Sequence, residues 1–253
     1  MGLSFFTLDF ISRLKKEQKI KKEQKRFTMV DSSYLSTLSA LLFSFSGILF
    51  IVFWAMAIPL GSFVGAAAAL HPNWNPSQIV HILAAITGLL GTAGIHGLHS
   101  SKTGLWGVIG SAFSIIGQAC FFADGVIAYA VFPAIAVALP SALDIEGFMF
   151  TGPNYSAYTA FAVLFMIGYI TLGVSLLYYK ALPESKIPFL VETATFLLII
   201  GSILGHLPPT AGFSVICAGG ILWGIGAFII GALWVQTKIT NYPMNENKEE
   251  VPI

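Results

Sequence analysis

The chain has 253 residues, of which 56% are apolar and only 10% are charged, and its formal net charge is +1. Because soluble domains carry about 25% charged residues, this composition is incompatible with a water-soluble globule. Eight of the thirteen Lys and Arg residues lie between Arg13 and Arg26, and the remaining body holds several long apolar runs. These features predict an all-α, polytopic membrane bundle. A short basic run with no folded domain around it does not favour nucleic-acid binding.

Residues 1–31 are predicted to form a basic segment ahead of the membrane domain. Its charges follow an apolar stretch, which is the reverse of the order in a secretory signal peptide. An apolar stripe that leads into a basic run indicates a helix lying on an anionic membrane surface, and residues 1–28 would then offer a docking site for a partner protein. A disordered tail upstream of an alternative start at Met29 is the other interpretation. The stripe consists of Leu3, Phe6, Phe10 and Leu14.

The body, residues 32–236, contains six predicted transmembrane helices, and residues 237–253 form a predicted carboxyl-terminal tail. The first apolar run, Ser36 to Leu70, is too long for one upright helix at about 1.5 Å per residue. We expect Pro59 to interrupt it and to leave the rest of the run as an interfacial extension. Ser77 is the predicted N-cap of the second helix. The six predicted spans are approximately 36–59, 77–98, 104–133, 158–179, 187–206 and 212–234.

The basic residues set the predicted orientation of these helices. With both termini in the cytoplasm, the inner loops hold Lys102, Lys180 and Lys186, and the inner tail holds Lys238 and Lys248. All thirteen Lys and Arg residues then lie on one side of the membrane, as the positive-inside rule requires. We therefore expect a multi-pass protein of the plasma (inner) membrane with both termini cytoplasmic.

Glycine is dense in four of the six predicted spans. Two spans contain GxxxG steps, Gly201–Gly205 and Gly220–Gly224, and the second span carries a row of four glycines. Small residues let membrane helices approach closely, because lipid provides no hydrophobic drive for helix association. We therefore interpret the glycines as helix-packing positions rather than as a ligand cradle. The row in the second span is Gly88, Gly91, Gly94 and Gly97.

Several short motifs lie in the first three spans. They are Leu70-His71-Pro72, Pro76-Ser77, His81-Ile82-Leu83, the glycine-rich run Gly88 to Leu98, and Phe132-Pro133-Ala134. Together they resemble a family of small bacterial integral membrane proteins with six spans. Members of that family have no assigned activity, so the resemblance implies the fold and no chemistry.

Polar residues gather at the predicted outer ends of three spans. His81 lies one turn into the second span, Asp124 lies near the outer end of the third, and His206 ends the fifth. Ionisable groups inside a bilayer are costly, so they are candidates for function. His81 shares a helix face with small residues, and we expect it to point into the bundle. With Gln118 near the middle of the third span, these residues form the predicted substrate or proton site.

Three interpretations of this set stay open. His81, Asp124 and His206 could bind zinc or another divalent metal, or they could relay protons. In the third interpretation Asp124 and His81 form a structural pair or cap neighbouring backbone at the membrane interface, and Gln118 forms an interhelical hydrogen bond. No HExxH motif supports the metal. Haem is not predicted, because a two-haem arrangement needs paired histidines on two helices and only the second span has such a pair.

A second polar set lies at the predicted inner face. By helical rise, Glu192 is about 9 Å into the fifth span. We interpret it as a snorkelling residue or as an ion-pair partner of Lys102 or Lys180, rather than as a coupling site. The members of this set are His96, His99, Lys102 and Glu192.

The predicted function is the binding or transport of a small apolar or protonatable molecule through a polar pocket near the outer face. Whether the protein is an enzyme stays open, since a metal-dependent membrane-embedded hydrolase would use the same residues. A third hypothesis is a non-catalytic interaction subunit that docks a partner through its basic amino-terminal segment. No phosphate-binding glycine loop or Ser-His-Asp motif is present. Cys120 and Cys217 lie in apolar segments and are predicted to be structural thiols.

Overall fold

The computed structural model describes residues 34–180, 188–207 and 212–240, without the side chains of residues 98–101, 154, 188 and 237–240. The predicted basic segment 1–31 and the tail beyond residue 240 lie outside the described residues. The described residues are almost entirely helical and contain no strand. The predicted all-α class is therefore confirmed.

Six longer helices and one short helix follow one another along the described residues. Five of them, α1, α3, α4, α5 and α7, are long and apolar enough to cross a membrane, and the apolar helix α6 has 17 residues. Seventeen residues rise about 26 Å, close to the bilayer hydrocarbon thickness of about 30 Å. This is the architecture of a multi-pass helical membrane bundle. The helices are α1 (34–57), α2 (Ala66–Ala69), α3 (Trp74–Gly97), α4 (Lys102–Ala138), α5 (Gly152–Tyr178), α6 (Pro188–Leu204) and α7 (Phe213–Thr240).

A proline and a glycine end the first helix. After α1 the chain forms the 3₁₀ turn Ile58–Leu60, in which Pro59 is the second residue. Gly61 follows with a φ of 69°, a left-handed conformation that glycine adopts without a Cβ clash. The predicted interruption at Pro59 is confirmed, and the short helix α2 lies in the predicted interfacial extension.

The start of α3 differs from the prediction. The helix begins at Trp74 with Asn73 as its N-cap, so the prediction of Ser77 as N-cap is wrong. Pro76 is accommodated because the first four amides of a helix need no carbonyl partner within it. The Ser77 hydroxyl, one turn further on, donates a hydrogen bond of 2.7 Å to the Trp74 carbonyl instead.

Helices α3 and α4 form a tight antiparallel hairpin. The backbone stays helical from Trp74 to Ala130 except at Gly104, where φ is 59° and ψ is −171°. Across the hairpin, the Trp74 indole donates a hydrogen bond of 2.9 Å to the Ala128 carbonyl. Closer to the connection between the two helices, Gly88 of α3 faces the Gln118 side chain of α4. Residues near the start of α3 and near the end of α4 therefore lie at the same end of the molecule.

Helix α1 closes the bundle by packing against both α3 and α7. The Ser46 hydroxyl donates to the Ala84 carbonyl of α3 at 2.8 Å. The Ser44 hydroxyl donates to the Phe228 carbonyl of α7 at 3.0 Å. Extensive contacts join α5 to the α3–α4 hairpin, α5 to α6, and α6 to α7. The six longer helices thus form a closed ring. Each packs against the longer helices that precede and follow it in the chain, and α7 packs against α1.

Glycines lie at several of the helix crossings. A Cβ added to Gly91 would lie 2.6 Å from the Phe43 nitrogen, and one added to Gly117 would lie 2.6 Å from the Phe165 Cα. Both distances are shorter than real Cβ contacts. At these two crossings the backbones approach so closely that no other residue fits without displacing a helix.

Aromatic side chains fill the centre of the ring. Trp223 of α7 is buried, and its ring centroid lies 4.6 Å from that of Phe50, 5.0 Å from that of Tyr169 and 5.6 Å from that of Phe165. These four residues come from α1, α5 and α7. Aromatic packing therefore ties three helices together at the bundle axis.

Two connections cover one end of the ring. The Gly65 amide, between α1 and α3, donates a hydrogen bond of 2.7 Å to the Leu143 carbonyl, between α4 and α5. The Trp74 ring stacks on Phe132 with a centroid separation of 5.9 Å. A small apolar cap thus covers the end at which α3 begins, which the predicted orientation assigns to the outer face.

Candidate functional site

A cavity of about 280 Å³ lies beneath this cap, between α1, α3, α4 and α5. Ten of its nineteen lining residues are Phe, Tyr or Trp. The polar side chains among the lining residues are Gln78, His81, Asp124, Tyr155 and Tyr158. The cavity is therefore an aromatic chamber with a few polar groups, which is typical of a small-molecule site.

His81 points from α3 into the interior of the bundle, as predicted. Its side chain is only 3% exposed. The ring stacks on Phe53 at 4.5 Å, and its Nδ1 lies 3.3 Å from the Gln78 Oε1. The Nε2 atom is buried and has no hydrogen-bond partner among the described residues. When Nδ1 donates to Gln78, Nε2 is a free acceptor.

Asp124 lines the same cavity from α4 and is half-buried. Within the described part of the chain, we find no hydrogen bond or ion pair to its carboxylate, and no Lys or Arg lines the cavity. The hypothesis of a structural pair between Asp124 and His81 therefore has no hydrogen bond to support it. Both side chains instead border one chamber.

His206 is placed differently from the other two predicted site residues. It follows α6, where its Nδ1 lies 2.8 Å from the Ser202 carbonyl and its ring stacks on Phe165 at 4.7 Å. It does not line the cavity. The Phe121 ring contacts both imidazoles, with centroids 5.5 Å from His81 and 5.3 Å from His206. The two histidines are thus connected through an aromatic ring.

Gln118 belongs to a buried polar cluster deeper in the bundle rather than to the cavity. Its Nε2 donates a hydrogen bond of 2.9 Å to the Tyr169 hydroxyl. That hydroxyl is also 3.1 Å from the Thr92 Oγ1. The cluster joins α3, α4 and α5, which is the interhelical hydrogen bonding that was the alternative interpretation of Gln118.

The structure does not support the predicted metal set. Among the described residues, no group of three or more His, Cys, Asp or Glu side chains is arranged to hold a metal ion. His81 and Asp124 share the cavity, whereas His206 lies outside its lining. The described residues therefore do not group His81, Asp124 and His206 as a three-ligand zinc site, and the alternative of a metal-dependent membrane hydrolase stays a hypothesis.

The predicted polar set at the inner face is dispersed. Lys102 and Glu192 are exposed, and no ion pair joins Glu192 to Lys102 or Lys180 in the part of the chain that the structure describes. The ion-pair prediction for Glu192 is therefore wrong. The other interpretation, in which the Glu192 side chain snorkels toward the membrane surface, stays a prediction. His96 is half-buried with an unpartnered Nδ1, and the side chain of His99 lies outside the described residues.

Sequence reasoning missed the aromatic lining of the cavity. Phe53 and Trp54 lie near the end of α1, and Tyr155, Tyr158 and Phe161 near the start of α5. The spacing of the α5 residues was visible, since residues three or four apart share a helix face, whereas Phe53 and Trp54 are adjacent and show no such pattern. What the sequence could not show is that the aromatic residues of α1 and α5 line the same cavity.

No protein-family model, curated protein or solved structure matches this chain. Its function therefore has to be argued from the geometry of the cavity.

Proposed function

We propose that this multi-pass protein resides in the plasma membrane, where it binds and transports a small apolar or protonatable molecule. The observation that carries the proposal is the aromatic cavity bordered by the half-buried Asp124 carboxylate and by the His81 Nε2, which is buried without a partner among the described residues. Ionisable side chains are costly in a membrane protein, so their position beside a partly open cavity supports a role in ligand binding.

The size and composition of the cavity favour a small ligand. Its volume of about 280 Å³ falls just below the range of about 300–1,000 Å³ that is typical of sites for drug-sized ligands. Apolar walls provide most of the binding free energy in such sites, and a few polar groups fix the orientation of the ligand. Gln78 and His81 on α3 and Asp124 on α4 supply these polar groups.

The opening of the cavity suggests how a ligand enters. Some lining side chains are also exposed and so mark the mouth, namely Ala123 and Ile127 on α4 and Tyr155, Ala157, Tyr158 and Phe161 on α5. The mouth thus opens between α4 and α5, toward the lipid that would surround the bundle. A ligand that partitions into the bilayer would reach the cavity from the lipid, and its passage further inward would require the Phe121 ring to move.

Filling the cavity tests the proposal. Ala157 and Ala160 are both exposed and lie about one turn apart on α5, but only Ala157 lines the cavity. With benzylamine and benzyl alcohol as probes, titration calorimetry in nanodiscs should detect binding to the wild-type protein. Ala157→Phe should weaken that binding at least about ten-fold, because the added ring occupies the ligand volume.

Ala160→Phe is the matched control and should bind both probes as the wild type does. Uptake of a bound probe into proteoliposomes then distinguishes transport from binding alone. The proposal fails if neither probe binds, or if Ala157→Phe binds them as well as Ala160→Phe does.

A further inference from the structure

We infer that the ligand is an organic cation, a quaternary ammonium or a protonated amine, which an aromatic cage and one carboxylate recognise. This inference rests on the proposed function, because it names the ligand class of the same cavity. It depends on three observations: the aromatic walls, the lone acidic side chain and the absence of Lys and Arg among the described residues that line the cavity.

The aromatic walls are continuous around one side of the cavity. Phe63 contacts three neighbouring lining rings, with centroid distances of 5.9 Å to Phe53, 5.7 Å to Trp54 and 6.2 Å to Trp74. Tyr155 and Tyr158 line the cavity from α5. The faces of aromatic rings carry negative charge density, and cages of such rings are the usual binding sites for quaternary ammonium groups.

The formal charge in the cavity has one sign. Asp124 is the lining residue that carries a formal charge, since no Lys or Arg is among those that line the cavity. Its carboxylate has no cation as partner within the described residues. In an apolar membrane environment the charged form of a carboxyl group is favoured when a counter-charge lies beside it, and a ligand cation would supply that charge.

The other polar atoms also suit a cation. His81 Nε2 is an acceptor when Nδ1 donates to the Gln78 Oε1, 3.3 Å away. An acidic ligand would meet the Asp124 charge with no guanidinium or ammonium to offset it, and such like-charge contacts are strongly unfavourable. A neutral apolar ligand would fit the walls but would leave the carboxylate without a partner.

A comparison of two probes of the same shape tests the inference. Choline and 3,3-dimethylbutan-1-ol differ by the replacement of N⁺ with carbon, so they separate charge from shape. By titration calorimetry on the wild-type protein in nanodiscs, choline should bind at least about ten-fold more tightly than the alcohol. This comparison needs no variant, so it does not depend on how a substitution affects folding.

Variants of Asp124 test whether its carboxylate causes the preference for choline. Asp124→Asn keeps the shape and removes the charge, and it should reduce the preference for choline to about three-fold or less. Asp124→Glu keeps the charge and should retain most of the preference. Asp144→Asn is the matched control, because Asp144 is exposed between α4 and α5 and does not line the cavity.

Failure of the inference is distinguishable from failure of the proposed function. If the alcohol binds as tightly as choline and Ala157→Phe abolishes the binding of both, the cavity binds ligands and the cation inference is wrong. If Asp124→Asn keeps the full preference, or if Ala157→Phe leaves choline binding intact, the inference is also wrong. If neither benzyl probe binds, the proposed function falls, and the inference that rests on it falls with it.

Discussion

Polar side chains inside the bundle differ at the residue scale in how well they are hydrogen-bonded. In the cluster of Thr92, Gln118 and Tyr169, the hydroxyls and the amide nitrogen are hydrogen-bonded to one another, although the Gln118 Oε1 has no partner among the described residues. At the cavity, the buried His81 Nε2 has no hydrogen-bond partner among the described residues, and the half-buried Asp124 carboxylate borders the same space. Interhelical hydrogen bonds hold helices together in a membrane, whereas unsatisfied buried groups lower stability unless a ligand pairs with them.

Removing the Tyr169 hydroxyl should destabilise the bundle. Tyr169→Phe deletes the group that bonds both Gln118 and Thr92, so both would lose a partner. We expect the free energy of unfolding to fall by about 0.6–1.7 kcal/mol, since interhelical hydrogen bonds in membranes contribute about 0.6 kcal/mol on average and about 1.7 kcal/mol at most. Steric-trap unfolding in bicelles would measure the change. Tyr178→Phe, at a residue that is 77% exposed on the same helix, should change nothing, and an equal loss in both variants would contradict the role of the cluster.

Individual helices are held in place by close backbone contact at the element scale. Gly117 lets α4 approach α5 at Phe165, and Gly91 lets α3 approach α1 at Phe43. Because the cavity lies between these same helices, their spacing also sets its width. A change at a crossing should therefore affect both stability and ligand binding.

Gly117→Ala should separate α4 from α5. The added methyl would lie 2.6 Å from the Phe165 Cα, a backbone atom that cannot rotate away, so we expect a loss of about 1–3 kcal/mol in unfolding free energy. Thermal unfolding in detergent measures it. Gly97→Ala is the matched control, since nothing lies within 4 Å of the added atom and alanine favours helix. A Gly117→Ala protein as stable as Gly97→Ala would show that the crossing tolerates expansion.

The orientation in the membrane belongs to the scale of the whole molecule. The ring places the turn at Lys102 at the opposite end from the connection that contains Asp144. The distribution of Lys and Arg predicts that the first end is cytoplasmic and the second is outside. The cavity then opens in the outer half of the bilayer.

Cysteine labelling of intact cells tests this orientation. In a background with Cys120→Ala and Cys217→Ala, Asp144→Cys should react with a membrane-impermeant maleimide, and Lys102→Cys should react only after the cells are permeabilised. The Lys and Arg distribution underlies the expectation, because basic loops are retained in the cytoplasm. The opposite pattern would place the cavity in the inner half of the bilayer.

The sequence predicted much of the candidate site and left part of it out. His81 faces the bundle interior as its stripe of small neighbours indicated, and Asp124 borders the same space because the α3–α4 hairpin pairs the start of one helix with the end of the other. His206 could not be excluded from sequence, since its depth matches that of His81. Its contacts with Phe165 and Ser202 depend on how α6 rotates against α5.

The helical class and the apolar character of the six longer helices in the described residues were determined by the sequence alone, because a bilayer admits only long apolar segments whose backbone bonds are satisfied internally. The interruption at Pro59 was determined in the same way, since a proline lacks the amide that a helix interior requires. Tertiary structure alone decided which helix faces meet. It brought Phe53, Trp54, Tyr155 and Tyr158 around one cavity, and it placed Gln118 against Tyr169. Lipid and protein interior are equally apolar, so hydropathy could not distinguish the faces that pack from the faces that contact lipid.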